Sequence, residues 1–332
     1  MAQNLTVSEI EDISLWDSFV ESSPQGTIFS TSSWLKSAGK AHGGEPRIMG
    51  VWEGDQLVAG VSFIHVAHGP FKKASSPVMT PYGGIVFRPD SGKRRSEAES
   101  FNAVCAEHLI IDLSARYHHI FLVHSPGFTD IRPLTWAEWT GKIQYTYEID
   151  ITDTGKLWDH MERRVRKVIR KAESSLELCG KIDIEHFMEL YERIYKDRGS
   201  EPPVERGRIT SMVDEIMHSD FAEMRTVRGS GGQVISAVIL VHDTDRVYTW
   251  ISGSIPEKNA TGAYSLQFWD AIKRHADVHK KLDMVGANIP SIAFFKKGFG
   301  GVLTPYYVTE RYSSGMVRMA FNTYSKIKRF AR

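Results

Sequence analysis

Apolar and polar positions along the chain switch repeatedly between strand-like and helix-like spacing, and these switches mark its elements. Ser14 to Val20 reads as a short helix, and Ser30-Thr-Ser-Ser-Trp34 offers hydroxyl caps to a helix reaching about Lys40. Strands at Arg47 to Trp52 and Leu57 to Val66 flank Glu53-Gly54-Asp55-Gln56, a hairpin signal. A basic loop at Phe71, Lys72 and Lys73 follows. Thr80-Pro-Tyr-Gly-Gly84 leads into a strand at Ile85 to Phe87. A long helix runs from about Ser96 to Tyr117. A strand at His119 to Val123, a short helix including Trp136 to Trp139, and a strand at Ile143 to Ile151 complete the first half.

The second half repeats this grammar. Helices are predicted at Leu157 to Ser174, Ile184 to Lys196 and Arg208 to Met217. Strands follow at Phe221 to Val227, Val234 to His242 and Arg246 to Gly253. A helix from Ala263 to Val278 leads to a strand at Leu282 to Gly286 and a short helix at Ile292 to Lys297. Pro305 to Thr309 reads as a strand and Met316 to Arg329 as a terminal helix. Strands alternating with helices around a hairpin predict a mixed α/β sheet in each half, with the boundary near residues 145–155, where Thr152-Asp153-Thr154-Gly155 punctuates the chain.

The bulk numbers agree with two domains: 332 residues, 42% hydrophobic and 24% charged. A net charge of +1 gives no global field toward nucleic acid, so local clusters must carry any such reading. Cys105 and Cys179 offer no disulfide framework, and a reducing cytoplasm is expected. The acidic start MAQNLTVSEIEDISLWD lacks the basic and apolar regions of a signal peptide. No His-Glu-x-x-His, zinc-spaced Cys/His cluster, Gly-x-Ser-x-Gly elbow, Walker loop or dinucleotide fingerprint occurs, so no metal site is expected.

The order hairpin, strand, helix, strand, helix, strand over residues 221–309 resembles the GNAT acetyltransferase fold. Trp250-Ile-Ser-Gly253, Thr261-Gly-Ala-Tyr264, Phe268-Trp269, Leu282-Asp-Met-Val-Gly286 and Phe295-Lys-Lys-Gly-Phe-Gly-Gly301, followed by Pro305-Tyr306, resemble the FemAB/FemX-like transferases and the related CelD/BioF-like acetyltransferase group. Gly26-Thr-Ile-Phe29, Ser33-Trp34 and Pro81-Tyr-Gly-Gly84 resemble the first domain of that group. The resemblance implies an α/β (α+β) chain of two tandem GNAT-like domains. Each would hold a mixed, mostly antiparallel sheet flanked by helices, with a cleft between the domains. The expected bounds are 1–150 and 151–313, with the terminal helix 314–332 packing back on the first.

The resemblance also implies an activity: transfer of an acyl or aminoacyl group to an amine or hydroxyl of a peptidoglycan or polysaccharide precursor. The donor would be acyl-CoA or aminoacyl-tRNA, with no cofactor bound permanently. Lys296, the Lys of the Phe-Lys pair, is implied at the catalytic cleft, where a cation can stabilise a tetrahedral oxyanion. Without that motif it reads as a solvated lysine beside Lys297 on a short helix. Asp283 is a candidate to orient the acceptor or take its proton, or to pair with a nearby Lys. Tyr248 and Trp250 alternate onto one sheet face, as a binding wall or as core, and Tyr264 opens the next helix. Arg198 and Lys36 are candidate anchors for phosphate or carboxylate.

The helix start at Thr261, Gly262 and Ala263 is the place where GNAT enzymes hold a pyrophosphate on backbone N–H groups. Here Lys258 replaces the usual Arg or Gln, and Thr261 replaces the first Gly. Arg163, Arg164, Arg166, Lys167, Arg170 and Lys171 flank a predicted buried stripe of Leu157, Met161, Val165, Val168 and Ala172. Arg166 and Arg170 are therefore candidate phosphate contacts, to tRNA or a diphosphate, on what is otherwise a solvated helix face. The basic terminal helix has the composition for peripheral membrane-surface contact, though packing on the first domain is the preferred reading. The competing reading of the whole chain is a non-catalytic ligand-binding module that keeps the fold.

Overall fold

The computed structural model describes residues 4–90, 92 and 94–330. The chain divides into two compact units, one holding residues up to 143 together with those from 306 onward, the other holding 144–305.

In the first unit, β1 (Leu5–Glu9), β2 (Glu45–Glu53), β3 (Gln56–His68), β4 (Phe71–Ser75), β6 (His119–Val123) and β13 (Val302–Tyr312) lie side by side in that order, with β5 (Gly84–Phe87) also paired to β3. All neighbours are antiparallel except β4 and β6. Strand alternation divides β3 between two cores. Ala59, Val61 and Phe63 join the cluster under α3 (Arg95–Arg116), with Leu109, Leu113, Ile120 and Leu122. Ile64 joins Trp16, Phe19 and Leu35 from α1 (Ile13–Ser22) and α2 (Ser32–His42) on the other face. Asp12 caps α1 by accepting from the N–H groups of Ser14 and Leu15, and Thr31 caps α2.

Three readings of this half are corrected. Phe71, Lys72 and Lys73 form strand β4 rather than a loop, because Ala74 and Ser75 turn inward while Lys72 stays exposed. β1 escaped notice because, as an edge strand, it buries only Leu5. The short helix, α4 (Arg132–Trp136), sits earlier than predicted, with Pro133 in its first turn. The terminal helix, α11 (Gly315–Phe330), packs Val317 and Phe321 inward, the Phe321 ring lying 4.9 Å from His119. The side chains of Tyr324 and Ile327 lie outside the described residues.

In the second unit the order is β7 (Thr140–Asp150), β12 (Lys281–Asp283), β11 (Arg246–Ser254), β10 (Val234–His242), β9 (Ala222–Arg228) and β8 (Glu177–Cys179). Only β11 and β12 are parallel. α7 (Ile184–Asp197) and α8 (Arg206–Ile216) bury Phe187, Leu190, Tyr191, Ile209 and Met212. A separate core gathers residues of α5 (Thr154–His160), α6 (Arg163–Glu173) and α9 (Ala263–His275) with Phe299, which follows α10 (Pro290–Lys297).

The predicted helix from Leu157 to Ser174 is two helices. Met161 is extended (φ −60°, ψ 145°), and the Glu162 N–H leaves the helical ladder to bond the Gly298 carbonyl at 3.0 Å. The break resets the buried stripe of α6 to Val165, Ile169 and Ala172, leaving Val168 37% exposed. A strand from the other half of the sequence lies in each unit: β13 beside β6, and β7 beside β12.

His124 gives the first unit a pH liability. It is fully buried, 2.8 Å from Thr309 Oγ1 and stacked on Phe128 at 4.2 Å, and burial pushes its pKa down to about 3. The unfolded chain takes up a proton near ~6.5 while the folded one does not. The stability that neutral His124 permits is therefore complete above ~6.5 and falls by about 1.4 kcal/mol per pH unit from there toward pH 3. Denaturant titrations between pH 7 and 4 should show that slope, and His124→Gln should flatten it.

Candidate active site

The second unit opens its sheet between β11 and β12. Their parallel pairing lasts only from Arg246–Lys281 to Tyr248–Asp283. β11 then runs on to Ser254, while the chain after Asp283 turns away through Val285 (φ 49°) and Gly286 (φ 74°). A β-branched residue at positive φ is a strained exception, costing on the order of 1–3 kcal/mol. The predicted strand Leu282 to Gly286 therefore ends at Asp283.

Two of the predicted site residues hold this turn. Lys296, at the end of α10, is 8% exposed. Its ammonium donates to the carbonyls of Val285 and Gly286, each at 2.6 Å, and to that of Met284. Asp283, 1% exposed, accepts from the Val285 N–H at 2.7 Å and from Thr146 Oγ1 at 2.6 Å. Burial lowers the Lys296 pKa to about 8, opposed by the Asp283 carboxylate. An ammonium has three protons, and three carbonyls take them. The Lys296 charge is met by the backbone of the turn, and Asp283 accepts from the same turn.

A second group forms at the far end of β11. Ser252 and Ser254 lie close to the Tyr264 hydroxyl. Burial raises the Tyr264 pKa, while the two serines and the nearby charge of Arg198 pull it down. Phe268 and Phe295 wall this phenol at ring distances of 6.4 and 6.5 Å. Arg198 itself is exposed at the end of α7. The structure thus brings Tyr264 and Arg198 together, as substrate-site candidates, and adds Ser252 and Ser254. The serines were readable as an i, i+2 pair on one strand face, Ser252 within the Trp250-to-Gly253 motif and Ser254 just after it.

The other candidates fall elsewhere. Tyr248 is 1% exposed and donates its hydroxyl to Asp243 Oδ2 at 2.7 Å, so it belongs to the core rather than a binding wall. Trp250, 7% exposed, occupies a bulge where Ile239 pairs Ile251 and the next residue, Leu240, pairs Thr249. That bulge breaks the alternation on which a shared face with Tyr248 depended. Lys36 is exposed on α2 in the first unit. Arg166 lies 3.8 Å from Asp159, and Arg170 lies over the Trp158 ring at 5.4 Å. The exposed cations of α6 are Arg163, Lys167, Arg170 and Lys171.

The start of α9 is closely packed. Gly262 (φ 86°) packs so tightly on α6 that an added Cβ would lie 2.6 Å from Val168 Cγ1. Ala263 is 3% exposed, packed with Val227 and Ile235, and the Thr261 hydroxyl donates to the Lys258 carbonyl at 2.7 Å. α6 therefore packs closely on this turn through Val168 and Ala172. Among the described residues no group of three or more His, Cys, Asp or Glu side chains is set to hold a metal, and no helix is long and apolar enough to cross a membrane.

Residues 160–296 match the family model of the acetyltransferase (GNAT) domain. The crystal structure of FemX is similar over 91% of this chain and 96% of its own, with a TM-score of 0.70 and 14% identity. A tandem GNAT protein from the clavulanic acid biosynthesis pathway is similar over 94% and 99%, with a TM-score of 0.51 and 11% identity. L-PGS from Bacillus licheniformis is similar over 88% and 96%, with a TM-score of 0.50 and 11% identity. No curated protein matches in sequence. The Fem-like resemblance and the tandem GNAT fold expected from the sequence are borne out, and the match supports an acyltransferase at the general level.

Replacing Lys296 by Met should strand three carbonyls without donors and lower stability by about 2–4 kcal/mol, read as a shift in denaturant midpoint. Gly262→Ala should cost about 1–3 kcal/mol, since it combines a positive φ with a contact too close for a methyl group.

Proposed function

We propose that this chain transfers an aminoacyl or acyl group from an activated carbonyl donor to an amine or hydroxyl of a cell-envelope precursor. The opened edge of β11 carries this reading. Past Tyr248 its backbone is no longer paired to β12, so its amide groups are available to hydrogen-bond an extended donor and its developing oxyanion. The acceptor's nitrogen or oxygen forms the new bond to the carbonyl carbon, the bond to the leaving group breaks, and the proton passes to that leaving group. In this reading Tyr264, whose hydroxyl lies close to Ser252 and Ser254, donates that proton. Arg198 suits an anionic part of the substrate. Lys296 and Asp283 act indirectly, by fixing the turn that keeps β12 away from β11.

The closely packed start of α9 favours an aminoacyl ester over coenzyme A as donor. The exposed cations Arg163, Lys167, Arg170 and Lys171 suit the phosphates of a tRNA acceptor stem. Charged tRNA as donor also implies a cytoplasmic location. The same closely packed helix start, with the saturated Lys296 ammonium, favours as second reading a non-catalytic binding module.

Charged tRNA should be protected from ester hydrolysis by the protein, with binding that weakens steeply as salt rises, whereas acyl-CoA should release no free thiol. With an accepted donor, Tyr264→Phe should lower kcat by about 100-fold or more with little change in KM. Activity should also decline on the alkaline side of about pH 8 as Lys296 loses its proton and one carbonyl loses its donor. Binding of donor without turnover, unaffected by Tyr264→Phe, would establish the binding-module reading instead.

A further inference from the structure

Across the sheet from Tyr264, the second unit carries a groove of about 820 Å³ between α7 and the hairpin joining β9 to β10. Gly253 fixes which side this is. An added Cβ there would lie 2.6 Å from the Tyr191 backbone nitrogen, so Gly253 faces α7, and Ser252 and Ser254 face the other way. Leu190, Val234 and Ile255 give the groove an apolar floor. Its cations come from three separate stretches. Lys181 stands on the loop between β8 and α7, Arg193 and Lys196 lie along α7, and Arg228 ends β9. The turn behind Arg228 is closed by the Gly229 N–H, which donates to the Gln233 carbonyl at 3.0 Å.

The charges here do not cancel. Asp183, Glu189 and Glu192 also line the groove, but two of them are engaged. Asp183 caps α7, accepting from the His186 N–H at 2.8 Å. Glu192 accepts from Arg206, which also donates to Glu185 at 2.8 Å. Among the described residues Lys181, Lys196 and Arg228 form no ion pair. Arg193 reaches Glu257 only at 3.9 Å, with both side chains half exposed or more, where such a pair contributes little. Glu189 alone therefore opposes the cations. A chain whose net charge is only +1 gathers them on a concave wall, where their fields add.

We propose that this groove binds a small molecule through a phosphate group. The two arginine forks match phosphate oxygens, the two lysines add point charges, and the apolar floor takes the body of the ligand. Arg193 and Lys196 reach the ligand from α7, while Lys181 and Arg228 reach it from the facing loop and hairpin. Such a group, charged on all sides, suits a phosphate better than a lone carboxylate. The size fits as well, since small-molecule sites span about 300–1,000 Å³, whereas a nucleic-acid backbone follows an open track of cations. The site does not rest on the transferase reading. Its occupancy is measured without turnover, and Tyr264→Phe should leave it unchanged.

Calorimetric titration of the full chain at low salt tests it, with inorganic pyrophosphate and AMP as separate probes. At least one should bind saturably at one equivalent, with amide NMR shifts confined to residues 181–196, 228–234 and 255. Tighter binding of AMP would assign the floor to an organic body, and tighter binding of pyrophosphate would assign the site to charge alone. Arg228→Gln and Lys196→Gln should each weaken binding by about tenfold. Glu189→Gln should strengthen it by about threefold, because it removes the one opposing charge. All three positions are exposed, so the variants should keep the wild-type unfolding midpoint. Absence of saturable binding would overturn the proposal, as would unchanged affinity in both cation variants or weaker binding in Glu189→Gln. Sulfate binding as tightly as either probe would mark an adventitious ion only. Displacement of the probe by uncharged tRNA, with the same loss in Arg228→Gln, would also overturn it by making the groove part of a nucleic-acid track.

Discussion

A lysine ammonium taken out of water must find acceptors for all three protons or lose its charge. Lys296 meets that demand with the carbonyls of Met284, Val285 and Gly286, and the second unit is shaped by the solution. Three successive carbonyls converge on one atom only if the backbone curls, and the curl is what puts Val285 in a left-handed conformation. Because the chain curls there, β12 cannot follow β11 beyond Asp283. The exposed edge of β11, and with it the serines beside Tyr264, exists because a buried cation turned the neighbouring strand aside.

A second constraint comes from α6. Two glycines, Gly262 at the start of α9 and Gly298 at the end of α10, let this helix approach their backbones closely, with Val168 and Val165 as the facing side chains. Arg164 reinforces the contact by donating to the Phe294 carbonyl at 2.7 Å and lying over its ring. The same close packing braces α9 and α10.

Long elements with clean periodicity were legible in the sequence. His119 to Val123 and Val234 to His242 have the predicted bounds, because buried strands in mid-sheet carry unbroken apolar runs. The break after His160 was not legible, since apolar spacing runs on through Met161 and only the distant Gly298 carbonyl explains the departure. β8 and β1 are short edge strands with few buried residues, and so leave little pattern. At the site, residue type pointed to Lys296 and Asp283, but their roles depend on which backbone atoms fold back onto them. That long-range fact has no local signature. Tyr248 shows the opposite failure: an aromatic on an alternating strand looks the same in a core as on a binding wall until the bulge at Trp250 is known.

The lodging of β13 beside β6 has a consequence for biosynthesis. As the chain leaves the ribosome, residues 1–143 emerge first, yet the strand that completes their sheet begins at residue 302. At about 5–20 residues per second, that partner arrives on the order of ten seconds or more later. Until then β6 presents an unpaired edge, the kind of surface that invites pairing with other chains. Residues 144–305, in contrast, have every strand of their sheet in hand as soon as β12 appears. Residues 144–305 are therefore able to finish their sheet first, while residues 1–143 wait on a strand made later still.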